Sequence, residues 1–143
     1  DRVLVEATMV GREVECAVLQ GRPGEPTRAS VAGEIVIHGS GFYDFESKYL
    51  GATGIETVCP ADMTPTELAE LQAISIRAFE AIGGAGLSRV DFFLTENGFV
   101  FNEINTMPGF TPISMFPQCW AASGLAYAEL IDELIDVALA HRG

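Results

Sequence analysis

Leu87-Ser88-Arg89-Val90-Asp91-Phe92-Phe93-Leu94-Thr95, then Glu96-Asn97-Gly98, then Phe99-Val100-Phe101-Asn102-Glu103-Ile104-Asn105 is the stretch that decides the fold. Two runs rich in β-branched and aromatic residues flank a turn signal, the pattern of a β-hairpin. Glu103 and Asn105 are two apart on a strand, so both side chains leave the same face. Whether Asp91 joins them depends on the turn. A two-residue loop at Asn97-Gly98 puts Asp91 opposite Ile104, on the wrong face. A three-residue loop, Glu96-Asn97-Gly98, pairs Thr95 with Phe99, Asp91 with Glu103 and Arg89 with Asn105, with glycine at the left-handed position. On that register Arg89, Asp91, Glu103 and Asn105 share one face. Val90, Phe92, Leu94, Val100 and Ile104 share the other, with Asn102 an exception inside the apolar set.

Two carboxylates directly opposite each other repel unless a cation neutralises them. A hard divalent ion would do so, since Asp, Glu and an amide carbonyl are oxygen ligands of the kind magnesium takes. Arg89 pairing with both acids on a solvated sheet face would also do so, with no ion present. The spacing leaves both readings open.

Upstream of the hairpin, Thr64-Pro65-Thr66-Glu67 predicts a helix start with a capping box. Leu68, Leu71, Ser75, Ala78, Phe79 and Ile82 then recur on one face until Gly83-Gly84. Downstream, Thr106 to Pro112 is a loop and a short helix is expected near Pro117 to Ala122. A last helix turns Tyr127, Leu130, Ile131, Leu134, Val137 and Ala138 inward. Toward the start of the chain, strands are expected at Val3 to Ala7, at Glu13 to Leu19 and at Ala32 to Ile37. In the second of these, Val14, Cys16 and Val18 alternate with Glu13, Glu15 and Ala17. Gln20 to Gly24 is turn chemistry. His38 to Leu50, rich in glycine and aromatics, reads as a functional loop. Strands followed by helices imply an α+β domain rather than a wound parallel sheet.

The chain has 143 residues, of which 48% are hydrophobic, enough for one domain with a real core. Its formal charge of −12, from 20 acidic and 8 basic residues, argues against nucleic acid or an anionic membrane as partner. Part of the acidic excess, Glu129, Asp132, Glu133 and Asp136, reads as a solvated helix face. There is no bilayer-length apolar run and no basic-then-apolar leader. Cys16, Cys59 and Cys119 are widely spaced, which points to buried reduced thiols and a cytoplasmic protein. His38 and His141 have no partner at metal-ligand spacing, which argues against zinc. The chain runs from Asp1 at once into the strand-like Val3-Leu4-Val5, as a piece of a longer protein would.

Gly86-Leu87-Ser88-Arg89-Val90-Asp91-Phe92-Phe93, followed by Asn102-Glu103-Ile104-Asn105-Thr106-Met107-Pro108-Gly109-Phe110-Thr111, resembles the signature of D-alanine–D-alanine ligases of the ATP-grasp superfamily. Val3-Leu4-Val5-Glu6 with Gly11-Arg12-Glu13-Val14 is similar to the family's nucleotide hinge. Phe42 to Leu50, with Lys48-Tyr49, is similar to its active-site loop. The resemblance implies the C-terminal ATP-grasp lobe, a largely antiparallel sheet with packed helices, over residues 1–143. The family's N-terminal substrate domain and most of its small ATP-binding lobe would then be absent. Activity would be ATP-dependent joining of two D-alanines through an acyl phosphate, for peptidoglycan precursors, with two magnesium ions or with manganese in their place. The whole enzyme is expected to be a homodimer.

By resemblance, Asp91, Glu103 and Asn105 hold the metal ions. Glu6 and Met9 border adenine, Glu13 reaches the ribose, and Phe93 flanks the nucleotide. Lys48 contacts the transferred phosphate. Arg89 and Gly109 stabilise the oxyanion, and Tyr49 closes over the second substrate, where tyrosine favours an amine acceptor. Ser114 and Met115 hold that substrate's carboxylate. From the residues alone, Met9 and Phe93 also fit plain core, Glu13 a solvated strand position, Gly109 a turn and Ser114 a helix cap. Two other functions fit the residues: a D-alanine–D-lactate or related carboxylate ligase, and a non-catalytic nucleotide-binding module. The chain alone is expected to bind Mg-ATP weakly and make no dipeptide.

Overall fold

The computed structural model describes residue 3, residues 5–37 and residues 54–141. The described elements run β1 (Arg12–Leu19), β2 (Arg28–Ile37), β3 (Ile55–Val58), α1 (Pro65–Ala81), β4 (Leu87–Thr95), β5 (Gly98–Asn105), α2 (Met115–Ala122) and α3 (Tyr127–Ala140). The strands form one sheet in the order β3-β2-β1-β4-β5, and every neighbouring pair is antiparallel. The α+β expectation therefore holds.

Strand β1 is central, and its period-two alternation builds two cores. Val14, Cys16 and Val18 face α1, where Leu71 and Phe79 meet them together with Val90 and Phe92 of β4. Ala17 and Leu19 face α2 and α3, against Met115, Phe116, Cys119, Trp120 and Leu130. Covering on both faces explains why Val14 to Leu19 are all buried. Helix α1 starts as the sequence implies: the Glu67 N–H donates to Thr64 Oγ1 at 3.2 Å, and the Thr64 N–H to Glu67 Oε2 at 2.8 Å.

Five expectations are corrected. Val3 to Ala7 forms no strand among its described residues, which stand exposed with no sheet partner. Strand β3 was not anticipated, and α2 starts at Met115 rather than near Pro117. Ile82 caps α1 and is 52% exposed, and Ile131 and Ala138 are also exposed. The last two line an open apolar groove of ≈ 440 Å³ with Leu87, Phe110, Leu134 and Ile135, because α3 buries only its Leu130 and Val137 stripe fully. Glu133 and Asp136 are not merely solvated: Glu133 accepts from Arg28 at 2.6 Å and Arg22 at 3.1 Å, and Asp136 from Arg22 at 2.9 Å. Finally, Cys16 and Cys119 are buried, but Cys59 is only half-buried, with its Sγ 3.7 Å from that of Cys119.

Candidate active site

The β4–β5 hairpin places the expected pairs but by a different route. Arg89 faces Asn105, Val90 faces Ile104 and Asp91 faces Glu103. Nearer the tip, Phe92 faces Phe101, Phe93 faces Val100 and Thr95 faces Gly98. The turn is thus the two residues Glu96-Asn97, with Gly98 at φ +102° beginning β5, and the expected Thr95–Phe99 pair does not form. The register is restored by a bulge at Asn102, one extra residue on β5. This removes the anomaly of Asn102 in the apolar set. It also moves Val100 to the Phe93 side and brings Phe99 and Phe101 edge-on to Phe92, at 6.1 and 5.8 Å between ring centroids.

One sheet face now carries three rows across β1, β4 and β5. Glu13, Phe93 and Val100 form the first, Glu15, Asp91 and Glu103 the second, and Ala17, Arg89 and Asn105 the third. Asp91 is 2% exposed and Glu103 lies open to solvent. Arg89 clasps Asp91 through both carboxylate oxygens, Nε to Oδ1 at 2.8 Å and Nη2 to Oδ2 at 2.7 Å. Its Nε also lies 3.2 Å from Oε2 of Glu15. Burial works against the Arg89 charge, yet the bond to Asp91 and the charges of Glu15, Asp91 and Glu103 outweigh it and raise its pKa.

The donor set suits a hard divalent ion: two facing carboxylates plus the Asn105 amide, whose Oδ1 already accepts the Met107 N–H at 3.0 Å. Among the described residues no three His, Cys, Asp or Glu side chains group closely enough to hold a metal by themselves. Two carboxylates and an amide fall below that count. They match magnesium, which completes its shell with water and phosphate oxygens.

Glu6, Met9 and Phe93 come together. With Ala7, Val100, Phe101 and Asn102 they line a cavity of ≈ 330 Å³, continuous in residues with the Glu13–Phe93 row. Met9 is 41% exposed, which is not the burial of a core residue. At the other end, the loop after Asn105 is tied down where Tyr127 Oη donates to the Phe110 carbonyl at 2.8 Å. Gly109 lies against Ser114, close enough that a Cβ would stand 3.0 Å from Oγ. Ser114 is the N-cap residue of α2, but its hydroxyl makes no cap bond. It instead accepts the Thr111 N–H at 3.1 Å and meets Thr111 Oγ1 at 2.8 Å. The Met115 thioether is buried against Gly33, where any side chain would collide with it, so what Met115 offers a ligand is its backbone at the first turn of α2. Lys48 and Tyr49, with the whole stretch from His38 to Leu50, lie outside the described residues.

The sequence reading missed Glu15, which sits in the middle row, 3% exposed and touching Arg89. The available signal was its spacing of two from Glu13, which puts both on one face.

Such a sheet, with helices on both faces and an acid–amide hairpin at its open end, is the C-terminal lobe of the ATP-grasp type. A family model described as D-ala D-ala ligase C-terminus matches residues 1–136, and the chain belongs to that family. A D-alanine--D-alanine ligase of Arthrobacter sp. (strain FB24) is 55% identical over 141 residues, 96% of this chain and 37% of that protein. The D-alanine-D-alanine ligase of Coxiella burnetii is 38% identical with a TM-score of 0.75, covering 96% of this chain and 34% of its own. The VanG D-Ala:D-Ser ligase of Enterococcus faecalis is 36% identical with a TM-score of 0.77, covering 91% of this chain and 37% of its own. The chain thus spans about 37% of the curated relative's length. No helix among the described residues is long and apolar enough to cross a membrane.

Proposed function

We propose that this chain is the C-terminal lobe of a longer cytoplasmic ligase, which joins two D-alanines to D-alanyl-D-alanine with ATP and magnesium. The observation that carries the reading is the single face on which Asp91 meets Glu103 beside Arg89 and Asn105. Asp91, Glu103 and Asn105 would hold the magnesium, whose chemistry there is to neutralise phosphate charge. The Glu6–Met9–Phe93 cavity takes the base, with Glu13 one strand away for the ribose. Arg89 and the Gly109 backbone N–H stabilise the oxyanion that forms when the second D-alanine's amine adds to the acyl phosphate, before the phosphate leaves. Ser114 and the start of α2 hold the acceptor's carboxylate, since free N–H groups at a helix start favour an anion. Lys48 and Tyr49 are assigned to the transferred phosphate and to closure over the acceptor.

The test is the full-length protein with Mg-ATP and D-alanine, wild type against Glu103→Gln. Loss of phosphate transfer by about 100-fold is expected, and an unchanged rate would remove Glu103 from its role. Likeness to a D-Ala:D-Ser ligase makes the acceptor a separate question. D-alanine, D-serine and D-lactate compared at neutral and alkaline pH answer it, with D-alanine expected to win.

A further inference from the structure

We propose that Glu15 is a positioning residue: it holds the Arg89 guanidinium at the site when Asp91 is engaged by a divalent cation. The proposal rests on the reading that Asp91 takes such an ion. Glu15 stands directly opposite Asp91 in the β1–β4 ladder, and both are nearly inaccessible, at 3% and 2% exposure. Neighbouring buried carboxylates need a shared positive charge, and Arg89 provides it to both. The sharing is uneven. Asp91 takes two short hydrogen bonds from the guanidinium, while the guanidinium's approach to Glu15 is longer, at 3.2 Å.

A cation between Asp91 and Glu103 draws on the same Asp91 oxygens and repels the guanidinium. Arg89 must therefore yield part of its clasp, and a buried guanidinium needs another anion. Glu15 is already in contact. It lies on the side of Asp91 away from Glu103, so it can receive the guanidinium without competing for the ion. On its other side Gly33 faces it in the β1–β2 ladder, and Met115 fills the space that Gly33 leaves. With Glu15 neutral, Arg89 stays on Asp91, where it both opposes the cation and is withdrawn from the reacting carboxylate.

The experiment uses the full-length protein with Glu15→Gln and Glu15→Asp, and Glu15→Gln repeated with Arg89→Ala. For Glu15→Gln, kcat should fall by about 10- to 100-fold while KM for ATP moves little, with Glu15→Asp partly restoring kcat. Manganese affinity, read by electron paramagnetic resonance without substrate, should weaken by about tenfold with Arg89 present. With Arg89→Ala the same change should have little effect. Equal weakening in both backgrounds overturns the proposal, because Glu15 would then act on the ion directly. Unchanged kcat in Glu15→Gln, or a parallel collapse of kcat, KM and the melting midpoint, also overturns it. A wild type that ligates no D-alanine but keeps the Arg89-dependent manganese effect sinks the proposed reaction and leaves the Glu15 role standing.

Discussion

Asp91 faces Glu103 although Phe92, its neighbour, faces Phe101, because β5 carries Asn102 as a residue beyond what the ladder needs. Residues two apart on a regular strand share a face. Across Asn102, Phe101 belongs to the Phe92 side and Glu103 to the Asp91 side. Deleting Asn102 lets the ladder run unbroken with Asp91 still opposite Glu103. Manganese affinity should then stay within about tenfold of wild type. Deleting Asn97 instead forces Asn102 opposite Phe92, in the apolar layer. That variant should lose about 0.5–1.5 kcal/mol with the Phe92–Phe101 edge contact, read by urea denaturation.

Phe92 is 3% exposed and sits edge-on to two other rings above α1. Phe92→Ala should cost about 3–5 kcal/mol through lost burial and the cavity left behind. A drop of under 1 kcal/mol in urea denaturation would contradict this packing.

Thr64→Ala removes the α1 cap and should cost about 1 kcal/mol. The capping box also has a pH signature. Hydrogen bonds from the Thr64 hydroxyl and backbone N–H hold the Glu67 carboxyl below its ordinary range. A carboxylate with a lowered folded pKa stabilises the fold above its unfolded value, and that contribution is lost as pH falls through the folded value. Glu67→Gln should therefore narrow the melting difference between neutral and strongly acidic buffer, measured by circular dichroism.

The three thiols should react in a fixed order. Burial pushes Cys16 up to about 11, against weaker opposing hydrogen bonds from Ser75 and Ser30. The contact with Cys119 holds Cys59 below its ordinary value and Cys119 above. Thiolate is the reactive form. Iodoacetamide at neutral pH should label Cys59 first and Cys16 only after unfolding, as followed by peptide mass spectrometry. Because Cys16 is raised, its protonated thiol supports the fold below the ordinary thiol pKa, and that support fades as pH rises toward the folded value.

The hairpin, the α1 start and the α+β class were legible because each rests on local periodicity or cap chemistry. Other features depend on surfaces the letters do not show. Val3-Leu4-Val5 reads as a strand, yet its described residues have no partner to pair with. Ile55-Glu56-Thr57-Val58 is too short and too polar to announce itself, and becomes β3 because the β2 edge receives it. Ile131 carries the right spacing for the core, but the contact surface of α3 is narrower than its apolar stripe. At the site, Asp91, Glu103, Asn105 and Arg89 were reachable by counting residues. Glu15 had the same two-residue spacing from Glu13, but a buried acid on a central strand looks in sequence like the half-buried Glu13 beside it.

The unpaired position on β5 works as a slip joint. Toward the tip, the strand is keyed to the aromatic layer over α1. Toward the root, it is keyed to the charged face. Remodelling the tip therefore stops at that joint, and the spacing of the acids passes unchanged into a hairpin whose outer half is entirely redesigned.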